Sequence, residues 1–207
     1  MTIAALKRKG KNVTVIFDND DHIVLDYNTV LDSGLRKNDV IDENKREELE
    51  YQSRLQRIKY TAFRLLSNRA HSSVELKRKL LSKGFELIPV EKVISSLTDD
   101  RFLNDEDFSS AYIEERSVKK KIGPQKIKAE LFKRGVDRKV IEKLIVNIDP
   151  EQNFENLVNL ATKKFKSIRN REQDFRKLRF KLYSYLSSRG FESDLIQKVL
   201  DLPYFKE

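Results

Sequence analysis

The chain contains no cysteine. That excludes disulfides, zinc–thiolate centres and cysteine nucleophiles, and it suits a reducing compartment, so a cytoplasmic location is expected. Histidine is scarce: His22 and His71 are the only two, and neither has a second histidine at ligand spacing. No phosphate loop of the form GxxxxGK(S/T) occurs, and no GxGxxG. No run of about 18 apolar residues occurs, so no membrane span is expected. The start, MTIAALKRKGKNV, lacks the run of about 7–15 apolar residues that a signal peptide needs. Two acidic clusters remain as candidate cation sites. Asp99, Asp100, Asp105, Glu106 and Asp107 overlap a helix start, where carboxylates favour the dipole. Asp18 to Asp21 is turn chemistry without the spacing of a calcium loop. No catalytic residue, metal or cofactor is expected, and binding is the expected mode of action.

What the chain has in quantity is charge. Of 207 residues, 42 are Lys or Arg and 33 are Asp or Glu, a formal net charge of +9. The surplus is uneven. Residues 1–45 hold seven basic against eight acidic residues, whereas residues 46–207 hold 35 against 25. Such a basic surface attracts polyanions, either nucleic acid or an acidic protein face.

Four segments are expected: 1–45 as a small leader, 46–100 as a linking helix with a first repeat, 101–149 as a second repeat and 150–207 as a third. In the leader, Val13–Phe17 and His22–Leu25 are β-prone and flank an acidic turn, which reads as a short hairpin. One or two helical turns follow over 27–33, ending at Gly34. This unit is too small to stand alone and should lean on the next helix. That helix is expected over 42–66, with Leu49, Leu55, Ile58, Ala62, Leu65 and Leu66 near helical spacing. Its first part is nearly all polar and should be exposed.

A repeat then dominates the chain. Leu80-Leu81-Ser82-Lys83-Gly84-Phe85 returns as Leu131-Phe132-Lys133-Arg134-Gly135-Val136 and as Leu186-Ser187-Ser188-Arg189-Gly190-Phe191. The glycines are 51 and 55 residues apart, a period typical of helical repeat arrays. Each repeat reads as three helices with the glycine terminating the second. Ser72 and Glu75 form a capping-box pattern, Pro89 is expected to open the third helix of the first repeat, and Gly123-Pro124, Asp137, Asp149-Pro150 and Ser193 mark later starts. The expected fold is mostly α: a tandem array of three helix-turn-helix-like repeats, elongated and curved, behind a small β-hairpin and helix unit. The aromatics Phe85, Phe102, Phe108, Tyr112, Phe165, Phe180, Phe191 and Phe205 sit beside Leu and Ile at helical spacing and are expected in cores.

Basic residues recur at comparable places in successive repeats. Lys77, Arg78, Lys79 and Lys83 belong to the second helix of repeat one. Lys119, Lys120 and Lys121 precede that of repeat two, with Lys126, Lys128, Lys133 and Arg134 inside it. Lys163, Lys164, Lys166, Arg169 and Arg171 continue the trend, then Arg176, Lys177, Arg179 and Lys181. Stacked repeats would present these as a discontinuous basic stripe. The bland alternative for any one cluster is a solvated helix face. Few Asn, Gln or Ser stand at readable spacing, so phosphate contacts rather than base readout are expected if nucleic acid is bound.

Several stretches together resemble the RecX family. They are RAHSSVELKRKLLSKGF, DDRFLNDEDFSSAYIEERSVKKKIGPQKIKAELFKRGV and KLYSYLSSRGFESDLIQKVL. The second carries the family's pattern at Leu103, Asp105, Phe108, Tyr112, Arg116, Gly123, Pro124, Ile127, Glu130, Leu131, Arg134 and Gly135. The leader hairpin and GLRKNDVID are also similar, so the resemblance spans roughly residues 12–202. Departures are mild: Ser109 after the aromatic, a lysine-rich 119–121, and a loose match over 163–181. The resemblance implies a regulator, most often an inhibitor, of the RecA recombinase. Such proteins bind RecA and its single-stranded DNA filament, lie along the filament groove, and suppress ATP hydrolysis, filament growth and strand exchange. Lys77, Arg78, Lys79, Lys83, Lys120, Lys121, Lys126, Lys133 and Arg134 are then the expected filament contacts, on a monomer. Arg69, Glu75, Asp105, Tyr112 and Arg116 are expected to hold the fold. The alternative is a stand-alone DNA- or RNA-binding protein that is not sequence-specific.

Overall fold

A computed structural model describes residues 1–206. The chain divides into two compact units: Met1–His71 with Glu75–Leu103, and Ser72–Val74 with Asn104 onward.

The first unit begins with three antiparallel strands in sequential order: β1 (Ile3–Lys9), β2 (Asn12–Phe17) and β3 (His22–Asp26). Two of these are the expected hairpin. β1 was not expected, because its sequence has one β-branched residue and no clean alternation, and only Ile3 is fully buried. Its strand character comes from pairing with β2, with Leu6 opposite Val15 and Arg8 opposite Val13, and not from side-chain preference. Along β2 and β3 the period of two puts Val13, Val15, Phe17, Ile23 and Leu25 on one buried face.

Asp26 caps the short helix α1 (Tyr27–Asp32) by accepting from the Asn28 amide, and Asp42 caps α2 (Glu43–Asn68) by accepting from Lys45. The first turns of α2 are polar and exposed, as expected, but the helix is not free. Leu49 is buried in the cluster that Ile3, Val15, Phe17 and Leu25 form, and the Ser53 hydroxyl accepts from the buried Asp26 amide at 2.7 Å. The sheet thus leans on α2. Burying a side chain such as Leu49 contributes roughly 1.5–3 kcal/mol.

The rest of α2 packs with α3 (Ser73–Leu81) and α4 (Leu87–Asp99) around Ile58, Ala62, Leu76, Leu80, Val90, Val93 and Leu97. α4 starts two residues before Pro89, with Glu86 as its N-cap. Pro89 is tolerated there because the first-turn amides have no intrahelical acceptor.

In the second unit, Asn104 caps α5 (Asp105–Glu114), which runs into a π-helical segment over Glu115–Lys119. α6 (Pro124–Lys133) and α7 (Arg138–Ile145) complete that repeat around Phe108, Ile113, Ile127, Leu131 and Ile141. α8 (Pro150–Arg169), α9 (Phe175–Ser188) and α10 (Ser193–Leu200) form the last, around Leu157, Phe165, Leu182, Leu186, Phe191 and Ile196. The N-cap position of α10 is Glu192, not Ser193. The Ser193 hydroxyl instead accepts from Tyr183 at 2.9 Å. Two expected core aromatics are exposed. Phe180 lies two residues, about 200° of helix rotation, from the buried Leu178 and Leu182, and is 71% exposed. Phe102 follows the end of α4 in a turn, 60% exposed, edge-on to Phe63.

Candidate basic surfaces

In the first unit, Leu76 and Leu80 turn the apolar stripe of α3 inward. Lys77 reaches Glu91 on α4 at 2.6 Å, Lys79 is half-buried, and Arg78 and Lys83 are exposed. Lys83 stands beside Gly84, where the chain leaves the helix with φ of +86°. Arg69 forks onto Glu75 with bonds of 2.6 and 3.1 Å, and that carboxylate raises the guanidinium pKa. Arg69 and Glu75 are therefore committed to the fold. On repeat one, Arg78 and Lys83 are exposed, beside a half-buried Lys79.

In the second unit the π segment decides where the lysine run points. Its register inserts an extra residue per turn, and the Ile122 amide closes back to the Arg116 carbonyl at 2.9 Å. Ile122 is buried as an anchor, Lys119 and Lys120 are exposed, and Lys121 adopts φ of +52°. Behind them lies a polar network. Tyr112 donates to Glu130 at 2.7 Å and accepts from Arg116 Nε at 3.0 Å, while Arg116 pairs with Glu130 at 3.0 Å. The Tyr112 hydroxyl, then the Glu130 carboxylate, raises the Arg116 pKa. The Arg134 guanidinium lies 4.9 Å from the Tyr112 ring centroid. Asp105 accepts from the Ser73 amide and hydroxyl at 2.7 and 2.6 Å. Arg69, Glu75, Asp105, Tyr112 and Arg116 thus all bond within the chain.

Among the expected contact residues, Lys77, Arg134 and Lys126 show how such cations are engaged within the molecule. Lys77 is paired to Glu91. Arg134 lies over Tyr112, and its carbonyl accepts from Ser72 at 2.6 Å. Lys126 Nζ donates to the Ser188 carbonyl at 3.1 Å, and its backbone lies against Gly190. Lys133 is exposed at the end of α6, where a cation also suits the helix dipole. On the neighbouring α7, Glu142 takes Arg138 at 2.7 Å and Lys128 at 3.5 Å. In the third repeat, Arg179 is held by Asp201 and Lys181 by Glu172, each at or below 2.7 Å. Four cations at the first hairpin turn, Lys7, Arg8, Lys9 and Lys11, lie outside the surfaces expected from sequence. Summing charge over 1–45 hides them; counting it turn by turn reveals them.

A cleft of about 360 Å³ opens between α5, the π segment and the start of α8. Its lining combines Ile113, Val118, Leu144 and Ile148 with the amides of Asn153 and Asn156, and includes no histidine or lysine. Among the described residues, no three carboxylates or histidines are placed to hold a metal ion, and no helix is long and apolar enough to cross a membrane.

Three glycine-terminated three-helix modules behind a small sheet, bearing exposed lysines, define a tandem helical-repeat protein. The first, second and third three-helix domains of RecX match residues 59–97, 104–145 and 150–200 in that order. The chain belongs to the RecX family. Regulatory protein RecX of Clostridium acetobutylicum is 30% identical over 200 residues, covering 96% of this chain and 92% of that protein. Its namesake in Clostridium perfringens strain 13 is 29% identical over 199 residues, covering 96% and 93%. Among solved structures, a regulatory protein RecX superimposes with a TM-score of 0.80 at 18% identity, covering 97% of this chain and 98% of that one. RecX from Lactobacillus salivarius gives 0.64 at 23%, covering 71% and 94%. Those two likenesses bear on the fold alone.

Proposed function

We propose that this chain is a negative regulator of the RecA recombinase, acting as a cytoplasmic monomer on the RecA–single-stranded DNA filament. The observation that carries this reading is the ordered match of all three repeats to the RecX three-helix domains. The proposed contacts are cations of repeats one and two, chiefly the exposed Lys83 and Lys120, with Lys133, Arg78 and the half-buried Lys121 beside them. Lys77, Lys126 and Arg134 act behind them, orienting helices. The test is RecA's single-strand-dependent ATPase with this protein added below one copy per protomer. Inhibition is expected, and K83E/K120E/K121E is expected to need at least tenfold more protein for the same effect. Full ATPase activity at excess, with the cognate recombinase, overturns the reading and favours a direct nucleic-acid binder, which binds DNA tightly alone with steep salt dependence.

A further inference from the structure

The N-terminal sheet is electrically polarised, although residues 1–45 nearly cancel in charge. Its β2–β3 turn carries Asp18, Asp20 and Asp21, with Arg46 bound to Asp21 at 2.7 Å. The opposite end carries Lys7, Arg8 and Lys9 at the close of β1 and Lys11 in the β1–β2 turn beside Gly10. The two turns lie at opposite ends of β2, whose six residues span about 20 Å. All four cations are exposed. Among the described residues, none of the four has a carboxylate within ion-pair distance, and their recorded partners are of another kind. Arg8 lies 3.6 Å from the Tyr27 ring centroid and bonds the Gly10 carbonyl, and Lys11 lies 4.2 Å from the Tyr60 centroid. Tyr60 is 36% exposed, its hydroxyl accepts from Asn28 at 2.7 Å, and one helical turn back Arg57 donates to the Val24 carbonyl at 3.1 Å. The surface thus continues from the hairpin tip onto α2 as cations interleaved with aromatic rings.

We infer that this basic hairpin tip is a contact site for the sugar–phosphate backbone of single-stranded nucleic acid, with Tyr60 offering a ring edge to an unstacked base. Cations concentrated at one hairpin end without a carboxylate partner gain most from a polyanion whose counterions they release. A flanking aromatic suits a single strand, whose unpaired bases can meet a ring edge. An acidic protein partner fits less well: lysines are depleted at protein interfaces, which need an apolar centre, and the exposed tip consists of Lys, Arg and Gly. The inference deepens the filament reading by naming the strand itself as a ligand, and rests on that reading for its setting.

The experiment uses the full chain without RecA and a fluorescein-labelled oligo-dT, read by anisotropy across a salt series. K7E/K9E/K11E is compared with K139E/K198E/K206E, which makes the same change in net charge at exposed positions elsewhere. The tip variant is expected to lose about tenfold in affinity at low salt and to flatten the log–log salt slope by roughly 2, at about 0.7 per lost phosphate contact. The control is expected to keep most of the slope. An unchanged slope in the tip variant, or equal flattening in both, overturns the inference. A tip variant that binds the oligonucleotide normally yet loses inhibition of RecA also overturns it, and assigns the tip to an acidic protein surface. Lysine acetylation footprinting on the unmodified chain is independent of any variant's folding. Saturating oligonucleotide is expected to protect Lys7, Lys9 and Lys11 but not Lys198, and equal acetylation with and without it overturns the site. Failure of the filament reading would show in the ATPase assay of the unmodified chain, whereas failure of this site shows in how the tip variant binds the oligonucleotide without RecA.

Discussion

Gly135 and Gly190 have φ of +81° and +86°, and the chain uses their missing side chains twice. Each ends the second helix of its repeat, where a left-handed residue satisfies the last carbonyls. Each also lies against the start of the preceding repeat's second helix: a Cβ on Gly135 would run into Val74, and one on Gly190 into Lys126. The hydrogen bonds repeat as well. Ser72 donates through its hydroxyl to the Arg134 carbonyl at 2.6 Å. Gly123, 51 residues later, donates through its amide to the Arg189 carbonyl at 2.9 Å. Gly84 opens the series, and a Cβ there meets nothing within 4 Å. The two kinds of glycine are therefore separable by substitution. Gly84→Ala is expected to cost about 1–2 kcal/mol, the left-handed penalty alone. Gly135→Ala adds overpacking of about 1–3 kcal/mol. Urea denaturation would measure both, and equal losses at the two sites would show that Val74 yields freely. The sequence repeat revealed these glycines as terminators. Their second role was not legible, because it depends on which residue of another repeat comes to rest against them.

At the scale of elements, most helices were readable because caps and apolar periodicity agreed locally. Asp137 and Asp149 each occupy the N-cap position at the helix starts expected there. What escaped was structure set by partners at a distance. β1 exists through its pairing with β2, and the π segment over 115–119 follows from the anchoring of Ile122 and the hold of Asn156 Nδ2 on the Ser117 carbonyl at 3.1 Å. The exposed lysines were legible as a run, whereas the capture of Lys77 and Lys126 was not, since Glu91 and Ser188 are 14 and 62 residues away. The connection between α2 and α3 has a similar hidden feature. His71 is buried, its Nδ1 lies 2.9 Å from the Arg69 carbonyl, and its Nε2 has no hydrogen-bond partner among the described residues. The carbonyl fixes the tautomer with the proton on Nδ1. Burial lowers the imidazole pKa below 6.5. The Arg69 carbonyl and Glu75 act against this shift, and the Arg69 and Lys79 charges reinforce it. The unfolded chain therefore binds this proton more readily than the folded one, so the neutral ring's contribution is complete above about pH 6.5 and is lost as pH falls towards the folded value. The melting temperature is expected to drop between pH 7.5 and 5.5, and to drop less in His71→Gln. An identical drop in that variant would place the acid sensitivity elsewhere.

For the whole molecule, the uneven charge makes salt the most informative variable. Of the 35 basic residues in 46–207, Lys77, Lys143, Arg179 and Lys181 each pair with a carboxylate, and Lys128 and Arg138 share that of Glu142. Exposed ion pairs of this kind contribute about 0–1 kcal/mol each to stability. Those pairs hold their cations within the fold, and the proposed face for a polyanion is Lys83 with the 119–121 run. Filament binding should therefore depend on salt less steeply than the total of 42 basic residues would imply. Because the chain has no cysteine, S95C on the exposed face of α4 supplies a single site for a fluorophore. With filaments preformed on a non-hydrolysable nucleotide, so that RecA itself stays bound, anisotropy of the labelled chain is expected to show a log–log salt slope near 3–5, at about 0.7–0.9 per phosphate-like contact. K83E/K120E/K121E should flatten that slope by about 2. A slope that survives the triple change would mean that the charge surplus acts diffusely, and that the exposed lysines of repeats one and two are a solvated face.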